Sequence, residues 1–95
     1  MIWRLRYTNV AKKQLRLIRE QSQYDGDTIA QEIDELQIDP TPGGLKPLRG
    51  TRSLYRLRVP PYRVLYKLET GRKGGIVRIF RIELRSSRTY RGFNP

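Results

Sequence analysis

The sequence predicts a single α+β domain, in which an N-terminal strand and a two-helix hairpin precede three antiparallel strands that complete a four-stranded sheet. Segments of alternating polarity open and close the chain, and two segments with helical apolar spacing lie between them. Two prolines and two glycines within residues 40–44 separate the two halves. Because 95 residues suffice for one modest core, residues 1–95 are predicted to form one domain.

The first strand and helix are predicted from residues 2–23. Residues 2–7 alternate apolar and basic side chains, the pattern of a half-buried strand, and Thr8 is a suitable N-cap. The helix that follows should end near Gln23. Its apolar stripe consists of Ala11, Leu15 and Ile18.

A second helix is predicted after Asp25-Gly26, with Asp27 as its cap. Its apolar stripe repeats the spacing of the first, whereas its acidic residues should face water. The stripe consists of Ile29, Ile33 and Leu36, and the acidic residues are Glu32, Asp34 and Glu35. Two amphipathic helices with a short joint predict a helical hairpin that covers one face of the sheet.

Three strands are predicted in the second half, at Leu54–Val59, Tyr62–Glu69 and Ile76–Arg85, with turns at Pro60-Pro61 and Gly71–Gly75. Tyr62 and Tyr66 should lie in the core, as should Trp3 and Phe80. In the last strand, strict alternation predicts Arg78, Phe80, Ile82 and Leu84 on one face and Val77, Ile79, Arg81, Glu83 and Arg85 on the other.

The positive charge is concentrated in the second half of the chain. Residues 46–95 contain fourteen Lys or Arg against two acidic residues, whereas residues 1–45 contain six basic and seven acidic residues. A one-sided basic field on a small domain attracts a polyanion, and arginine binds phosphate in a bidentate manner. Nucleic acid is therefore the first partner that the sequence suggests.

The composition also limits the chemistry. Without Cys or His, the chain has no disulfide framework, no thiolate metal site and no imidazole acid or base, so no metal or cofactor is expected. No apolar run approaches the length of a membrane span, and the first residues do not resemble a signal peptide. A cytoplasmic protein without a membrane partner is predicted.

The predicted strands bring five arginines to one sheet face. Adjacent strands should place Arg56 and Arg58 near Arg63, and the last strand adds Arg81 and Arg85. Concentrated like charges repel one another, so this pattern suggests a phosphate-binding site. The alternative is a solvated polar face on which arginine stems cover aromatic rings.

Several short motifs, in this order and spacing, resemble the RelE family of toxin-antitoxin toxins across essentially the whole chain. They are Lys46–Gly50, Tyr55–Arg58, Tyr62–Tyr66 and Ile82–Arg85, followed by Tyr90-Arg91. The resemblance implies a microbial ribonuclease-like fold and a ribosome-dependent endoribonuclease that cuts mRNA in the ribosomal A site. It also implies a cognate acidic antitoxin as partner, with operator DNA reached only through that antitoxin.

The resemblance further implies roles for individual residues. Arg63 matches the arginine that contacts the scissile phosphate, Arg85 the one that assists the leaving oxygen, and Tyr90 the aromatic that orients a base. Arg56 and Arg58 stand where some members have lysines, one of them proposed as the general base. Since a guanidinium is effectively never deprotonated, these two residues can bind phosphate but are poor bases.

The sequence does not identify the general base. Glu83 is the only carboxylate on the arginine-bearing face of the last strand, so it is either the base or an ion-pair partner that relieves repulsion, across the strands or beside Arg81 or Arg85 of its own strand. Further basic residues are predicted to contact the RNA or ribosome backbone without doing chemistry. They are Lys46, Arg49, Arg52, Arg81, Arg88 and Arg91.

The sequence is also compatible with two other functions. The related ParE toxins share the fold but bind DNA gyrase and do not cleave RNA. A non-catalytic relative that only binds an antitoxin or RNA is the third alternative. The set of Arg63, Arg85 and Tyr90 favours the ribonuclease, because the gyrase-directed branch does not share it as a unit.

Overall fold

A computed structural model describes residues 3–51 and 53–84 of the chain. The elements are β1 (Arg4–Tyr7), α1 (Asn9–Gln21), α2 (Gln23–Glu35), a short 3₁₀ turn (Pro42–Gly44), β2 (Leu54–Val59), β3 (Tyr62–Gly71) and β4 (Gly74–Leu84). The predicted α+β class is therefore confirmed. Several residues of the sequence predictions lie outside the described residues, namely Ile2, Arg52, Arg85, Arg88, Tyr90 and Arg91.

The four strands form one sheet in the order β1-β4-β3-β2. β2, β3 and β4 pair antiparallel, whereas β1 pairs parallel to β4. Both helices pack on the same face of this sheet, and the core lies between the two layers. It consists of Ala11, Leu15, Ile29, Ile33, Leu36, Leu57, Val59, Val64, Tyr66, Val77, Ile79 and Ile82. Within the described ranges, neither α1 nor α2 has the length and apolar character of a membrane span.

The joint between the helices differs from the prediction. Thr8 caps α1 as expected, since its hydroxyl accepts from the Ala11 N–H. However, α2 begins at Gln23, because the extended backbone of Ser22 interrupts the helix and its hydroxyl accepts from the Asp25 N–H at 3.2 Å. The predicted cap at Asp27 is wrong. Its carboxylate instead accepts from Gln23 one turn earlier and from Arg19 of α1.

A β-bulge in β4 overturns the predicted alternation of that strand. Leu65 pairs with Arg81 whereas Tyr66 pairs with Ile79, so Phe80 is an extra residue without a partner on β3. Around the bulge, the Phe80 carbonyl accepts from the Thr8 hydroxyl, and the Ile82 N–H donates to the Gln14 side chain at 2.7 Å.

The extra residue changes which side chains are buried. Val77 and Ile79 face the core before the bulge and Ile82 faces it afterwards, so the predicted division of these three residues is wrong. Phe80 is also not a core residue, because it lies with Arg78 on the opposite face of the sheet. The predictions of core positions for Tyr66, Tyr62 and Trp3 are confirmed, the latter two at its margin.

Two tyrosines attach β3 to the helical layer. The Tyr66 hydroxyl donates to the Pro40 carbonyl at 2.6 Å, and the Tyr62 hydroxyl donates to the Asp25 carboxylate at 3.0 Å. Burial raises the pKa of Tyr66 well above its ordinary value, so its hydroxyl stays a donor across the physiological range. These bonds fix β3, and with it the outward-facing side chains that alternate with the tyrosines.

Gly75 should be sensitive to substitution, because the Trp3 ring packs directly on it. A Cβ atom at this position would clash with the six-membered ring of Trp3, whereas one at Gly71 would meet nothing within 4 Å. Gly75→Ala should therefore lower the free energy of unfolding by about 1–3 kcal/mol, the cost of overpacking. Urea unfolding with Gly71→Ala as control measures this. Equal midpoints for the two variants would contradict the packing described.

Candidate functional site

The sheet face that the helices leave uncovered, here called the open face, is strongly basic. It is formed by side chains that alternate with the core positions of each strand. Its basic members are Arg4, Arg6, Arg56, Arg58, Arg63, Lys67, Arg78 and Arg81. Among the described residues of the four strands, only Glu69 and Glu83 are acidic. Cations thus outnumber anions on this face, as a polyanion-binding surface requires.

Three residues form an ion-pair cluster on the open face, here called the Glu83 cluster. Arg63 and Glu83 are direct partners across β3 and β4. One carboxylate oxygen of Glu83 accepts from Arg63 Nε at 3.4 Å, and the other lies 3.1 Å from Arg81 Nε. The Arg63 and Glu83 side chains are only 12% and 9% exposed, whereas that of Arg81 is 43% exposed. Glu83 therefore holds two guanidinium groups beside each other.

Arg56 and Arg58 of β2 extend this cluster along the sheet. Arg58 pairs with Arg63, and Arg56 pairs with Leu65, whose partner on the other side is Arg81. Arg56 and Arg81 are therefore two strand spacings apart, about 10 Å. No carboxylate in the part of the chain that the structure describes forms an ion pair with Arg56 or Arg58. Their charge is thus available to an anionic ligand.

A groove of about 450 Å³ borders the outer edge of β2. Lys46, from the loop before β2, lines it together with Arg56 and Arg58. Arg49 lies further along the same loop, where it is exposed. The groove therefore continues the basic surface from the open face around the sheet edge.

Arg78 differs from the other arginines of the open face. Its guanidinium donates two hydrogen bonds to Glu69, at 2.9 and 3.0 Å. This pairing holds the pKa of Glu69 below its usual value and raises that of Arg78. The two charges largely neutralise each other, so Arg78 presents less net positive charge to the open face than Arg56 and Arg58 do.

The described residues do not assemble a metal site. Within residues 3–51 and 53–84, no three acidic side chains come close enough together to hold an ion. The charged groups that the open face presents are mainly guanidinium groups, a type of group that can stabilise negative charge by electrostatics and hydrogen bonds.

Comparison with known families assigns the chain. Residues 5–88 match the family model of the ParE toxin of type II toxin-antitoxin systems, parDE. The chain belongs to this toxin family. The membership in the RelE/ParE superfamily that the sequence predicts is therefore confirmed, and the protein is a type II toxin-antitoxin toxin.

Solved toxin structures share the fold of this ParE-family chain. The YoeB/ParE toxin from Agrobacterium tumefaciens superposes with a TM-score of 0.73 at 15% identity, covering 87% of this chain and 99% of the other. The archaeal RelE-RelB complex from Pyrococcus horikoshii OT3 gives 0.71 at 24% identity, with 92% and 99% covered. The chromosomal ParDE system from P. aeruginosa gives 0.69 at 17% identity, with 90% and 98% covered. A search of curated proteins found no significant match.

In this ParE-family chain, the structure brings together most of the described residues that the sequence singles out. The predicted proximity of Arg56, Arg58 and Arg63 is confirmed, and Arg81 joins them on the open face. Their roles, like those of Lys46 and Arg49, remain predictions. The predicted ion pair of Glu83 with Arg81 is present, and Arg63 is its ion-pair partner across the strands.

Sequence reasoning missed an apolar hollow on the open face, beside the Glu83 cluster. Leu54, Leu65 and Phe80 contribute its apolar lining, and Lys67 and Arg81 its basic rim. Phe80 shares this face with Arg78, and the bulge places Arg81 on the same face directly after it. The signal available in the sequence is the adjacent pair Ile79-Phe80, which breaks the alternation of the strand.

Proposed function

We propose that this toxin is a ribosome-dependent endoribonuclease that cuts mRNA in the ribosomal A site through attack of the neighbouring 2′-hydroxyl. The observation that carries the proposal is the convergence of Arg56, Arg58 and Arg63 with Arg81 on the open face. In-line attack of a 2′-hydroxyl creates a phosphorane with two negative charges, and fixed guanidinium groups stabilise charge that grows in this transition state.

The Glu83 cluster supports this chemistry by fixing two of the arginines. An arginine in water samples many rotamers, and ordering such a side chain costs roughly 1.5–2 kcal/mol of entropy. Because Glu83 engages Arg63 and Arg81 before RNA binds, much of that cost falls on folding rather than on catalysis. Arg63 is therefore oriented in advance for the phosphate that the family resemblance assigns to it.

We infer a supporting role for Glu83 rather than that of a base. Each of its two oxygens already faces a guanidinium nitrogen, within 3.4 Å for Arg63 and 3.1 Å for Arg81. A general base must instead lie within hydrogen-bond reach of the proton that it removes. In this proposal, the ribosome aligns the 2′-hydroxyl with the phosphate, and positioning replaces much of the help of a protein base.

The absence of His gives a prediction for the pH dependence of cleavage. An imidazole titrates near pH 6.5, and this chain contains none. The rate of single-turnover cleavage on programmed ribosomes should therefore show no inflection between about pH 6 and 7 that is assignable to the toxin. An inflection there that disappears when the toxin, but not the ribosome, is changed at the open face would contradict the proposed catalysis by arginines.

The partner of the free toxin is proposed to be a cognate acidic antitoxin. Relatives of the same fold were solved as complexes with antitoxins, including RelBE2 of Mycobacterium tuberculosis and RelBE of E. coli. The basic open face would attract an acidic segment that folds as it binds, and contacts at its rim would weaken with salt. Operator DNA would be reached only through the antitoxin.

The match to the ParE family model favours one second candidate, namely inhibition of DNA gyrase without RNA cleavage. A pair of assays on the purified toxin separates the two functions. Primer extension on an mRNA translated in its presence should show new 5′ ends at A-site codons, while DNA supercoiling by purified gyrase should be unchanged. Intact mRNA together with inhibited supercoiling would establish the gyrase function instead.

A further inference from the structure

The apolar hollow on the open face has a volume of about 620 Å³ and opens beside the Glu83 cluster. Leu54 of β2, Leu65 of β3 and Phe80 of β4 line it. Lys67, Arg81 and Ser53 stand at its rim. It thus combines an aromatic ring, a small apolar surface and cations within one concavity on a strongly basic face.

The position of the Phe80 ring is fixed by the fold. As the extra residue of the β4 bulge, Phe80 has no partner on β3, and its side chain lies on the open face, opposite the fully buried Ile79 before it. The Thr8 hydroxyl and the Gln14 side chain bind the backbone on either side of the bulge. The ring is therefore presented by an anchored strand rather than by a loop.

We propose that this hollow is a nucleobase subsite, in which one base of the bound RNA stacks on Phe80 while Lys67 and Arg81 bind the adjoining phosphates. The proposal rests on the proposed function, because it assumes that RNA lies on the open face. A base has apolar faces and a polar edge, and the hollow offers an aromatic ring, aliphatic walls and polar lining residues that include Thr51 and Ser53.

The spacing of the strands relates the hollow to the Glu83 cluster. Leu65 and Arg63 are two residues apart on β3, about 7 Å, and Arg81 belongs both to the cluster and to the rim of the hollow. A base in the hollow would therefore belong to a nucleotide close to the phosphate at Arg63. Such a base would contribute to which codon is cut.

Charge favours RNA over an apolar protein segment as the occupant. Both charged side chains at the rim are basic, and no carboxylate among the described residues forms an ion pair with Lys67. A neutral apolar segment would cover Lys67 without compensating its charge, which costs free energy, whereas a phosphate of RNA supplies that compensation. An antitoxin segment remains an outcome that the experiment distinguishes.

The first experiment measures how much the base contributes to binding without requiring cleavage. Fluorescence anisotropy would compare 2′-O-methyl hexanucleotides of A, C or U with an abasic strand of the same length. Wild-type protein should bind at least one base-bearing strand about 5- to 100-fold more tightly than the abasic strand, the range for one stacked base. Equal affinities for all strands would overturn the proposal.

The second experiment assigns that difference to Phe80. Phe80→Leu should reduce the preference for bases at least fivefold and leave abasic binding unchanged, whereas Phe80→Tyr should retain the preference. Tyr24→Leu, which removes an aromatic ring that is 79% exposed on the helical layer, is the matched control and should change neither value. If Phe80→Leu has a lower melting temperature than wild type, the Phe80→Ile variant is used in its place, because a β-branched residue suits a strand.

The remaining outcomes separate this proposal from the proposed function. A base preference that survives the loss of Phe80 would overturn the subsite even if the wild type cuts mRNA. Unchanged RNA binding by Phe80→Leu together with at least tenfold weaker antitoxin binding would reassign the hollow to the antitoxin. A preference that depends on Phe80 but is not accompanied by mRNA cleavage would support the subsite and refute the endoribonuclease.

Discussion

Arg63→Ala is expected to lower ribosome-dependent mRNA cleavage at least about 100-fold, because loss of one donor to transition-state charge typically costs that much. Arg63 is the least exposed arginine of the Glu83 cluster, and Glu83 holds its guanidinium in place. The sequence resemblance predicts an effect of the same size for Arg85→Ala. Single-turnover cleavage on programmed ribosomes measures the loss, with melting temperature as the test of folding.

Two control variants make the Arg63 result specific. Arg72→Ala removes an exposed cation from the β3-β4 turn, at the opposite end of β3 from Arg63, and should leave cleavage within about twofold of wild type. Arg63→Lys keeps the charge but loses the planar guanidinium, so it should recover only part of the rate. Cleavage by Arg63→Ala at the wild-type rate would show that Arg63 is not an active-site residue.

Glu83→Gln is expected to have the largest effect on stability among the charged positions of the open face. The change removes a negative charge that faces both Arg63 and Arg81. The Arg63 and Glu83 side chains are only about a tenth exposed, so water cannot replace the lost interaction well. Breaking a buried ion pair by removing one partner costs about 3 kcal/mol or more. Urea unfolding should show this loss. Single-turnover cleavage at a temperature where the variant is folded should stay within a few-fold of wild type, because the Gln amide oxygen can still accept from Arg63 Nε and keep its guanidinium in place.

A matched variant and a contrasting outcome decide the role of Glu83. Glu69→Gln breaks the more exposed pair with Arg78, so it should cost no more than about 1 kcal/mol. If Glu83 were the general base, Glu83→Gln would instead slow cleavage by roughly 10² to 10⁴. Such a loss of rate with unchanged stability would refute the supporting role assigned here.

The sequence predicts the strands of the second half well because their boundaries are marked by strong local signals. Pro60-Pro61 separates β2 from β3, and the predicted bounds Leu54–Val59 agree with the structure. The alternation of Tyr62, Val64 and Tyr66 with Arg63 also holds. Period-two patterns therefore identify which side chains of β2 and β3 share the open face.

The same reasoning fails where a local irregularity depends on tertiary contacts. The bulge at Phe80 contains no glycine that would signal it, and Thr8 and Gln14, both distant in sequence, bind its backbone. At the helix joint, Asp25-Gly26 resembles a turn, but Gly26 is a helical position that lies against Arg19 of α1. In both places, packing decides between local alternatives that the sequence leaves similar in energy.

The sequence predicts the positive charge of the candidate site, but not how the side chains of β4 are arranged within it. Arg56, Arg58 and Arg63 could be placed together from alternation alone, because hairpin strands are adjacent in the sheet. The direct pairing of Arg63 with Glu83 depends on the register of β3 against β4, and the bulge shifts that register by one residue. A single inserted residue reverses the face of every side chain beyond it, so the Glu83 cluster and the hollow could only be found in three dimensions.

The most direct measurement of the central claim uses ribosomes programmed with an mRNA that carries one 2′-deoxynucleotide at the position whose hydroxyl would attack. The toxin should cut the unmodified mRNA at the A-site codon, and the single deoxy substitution should abolish that cut while neighbouring steps of translation proceed. Cleavage of the substituted mRNA at the same site and rate would contradict catalysis by 2′-hydroxyl attack on the arginine-lined open face.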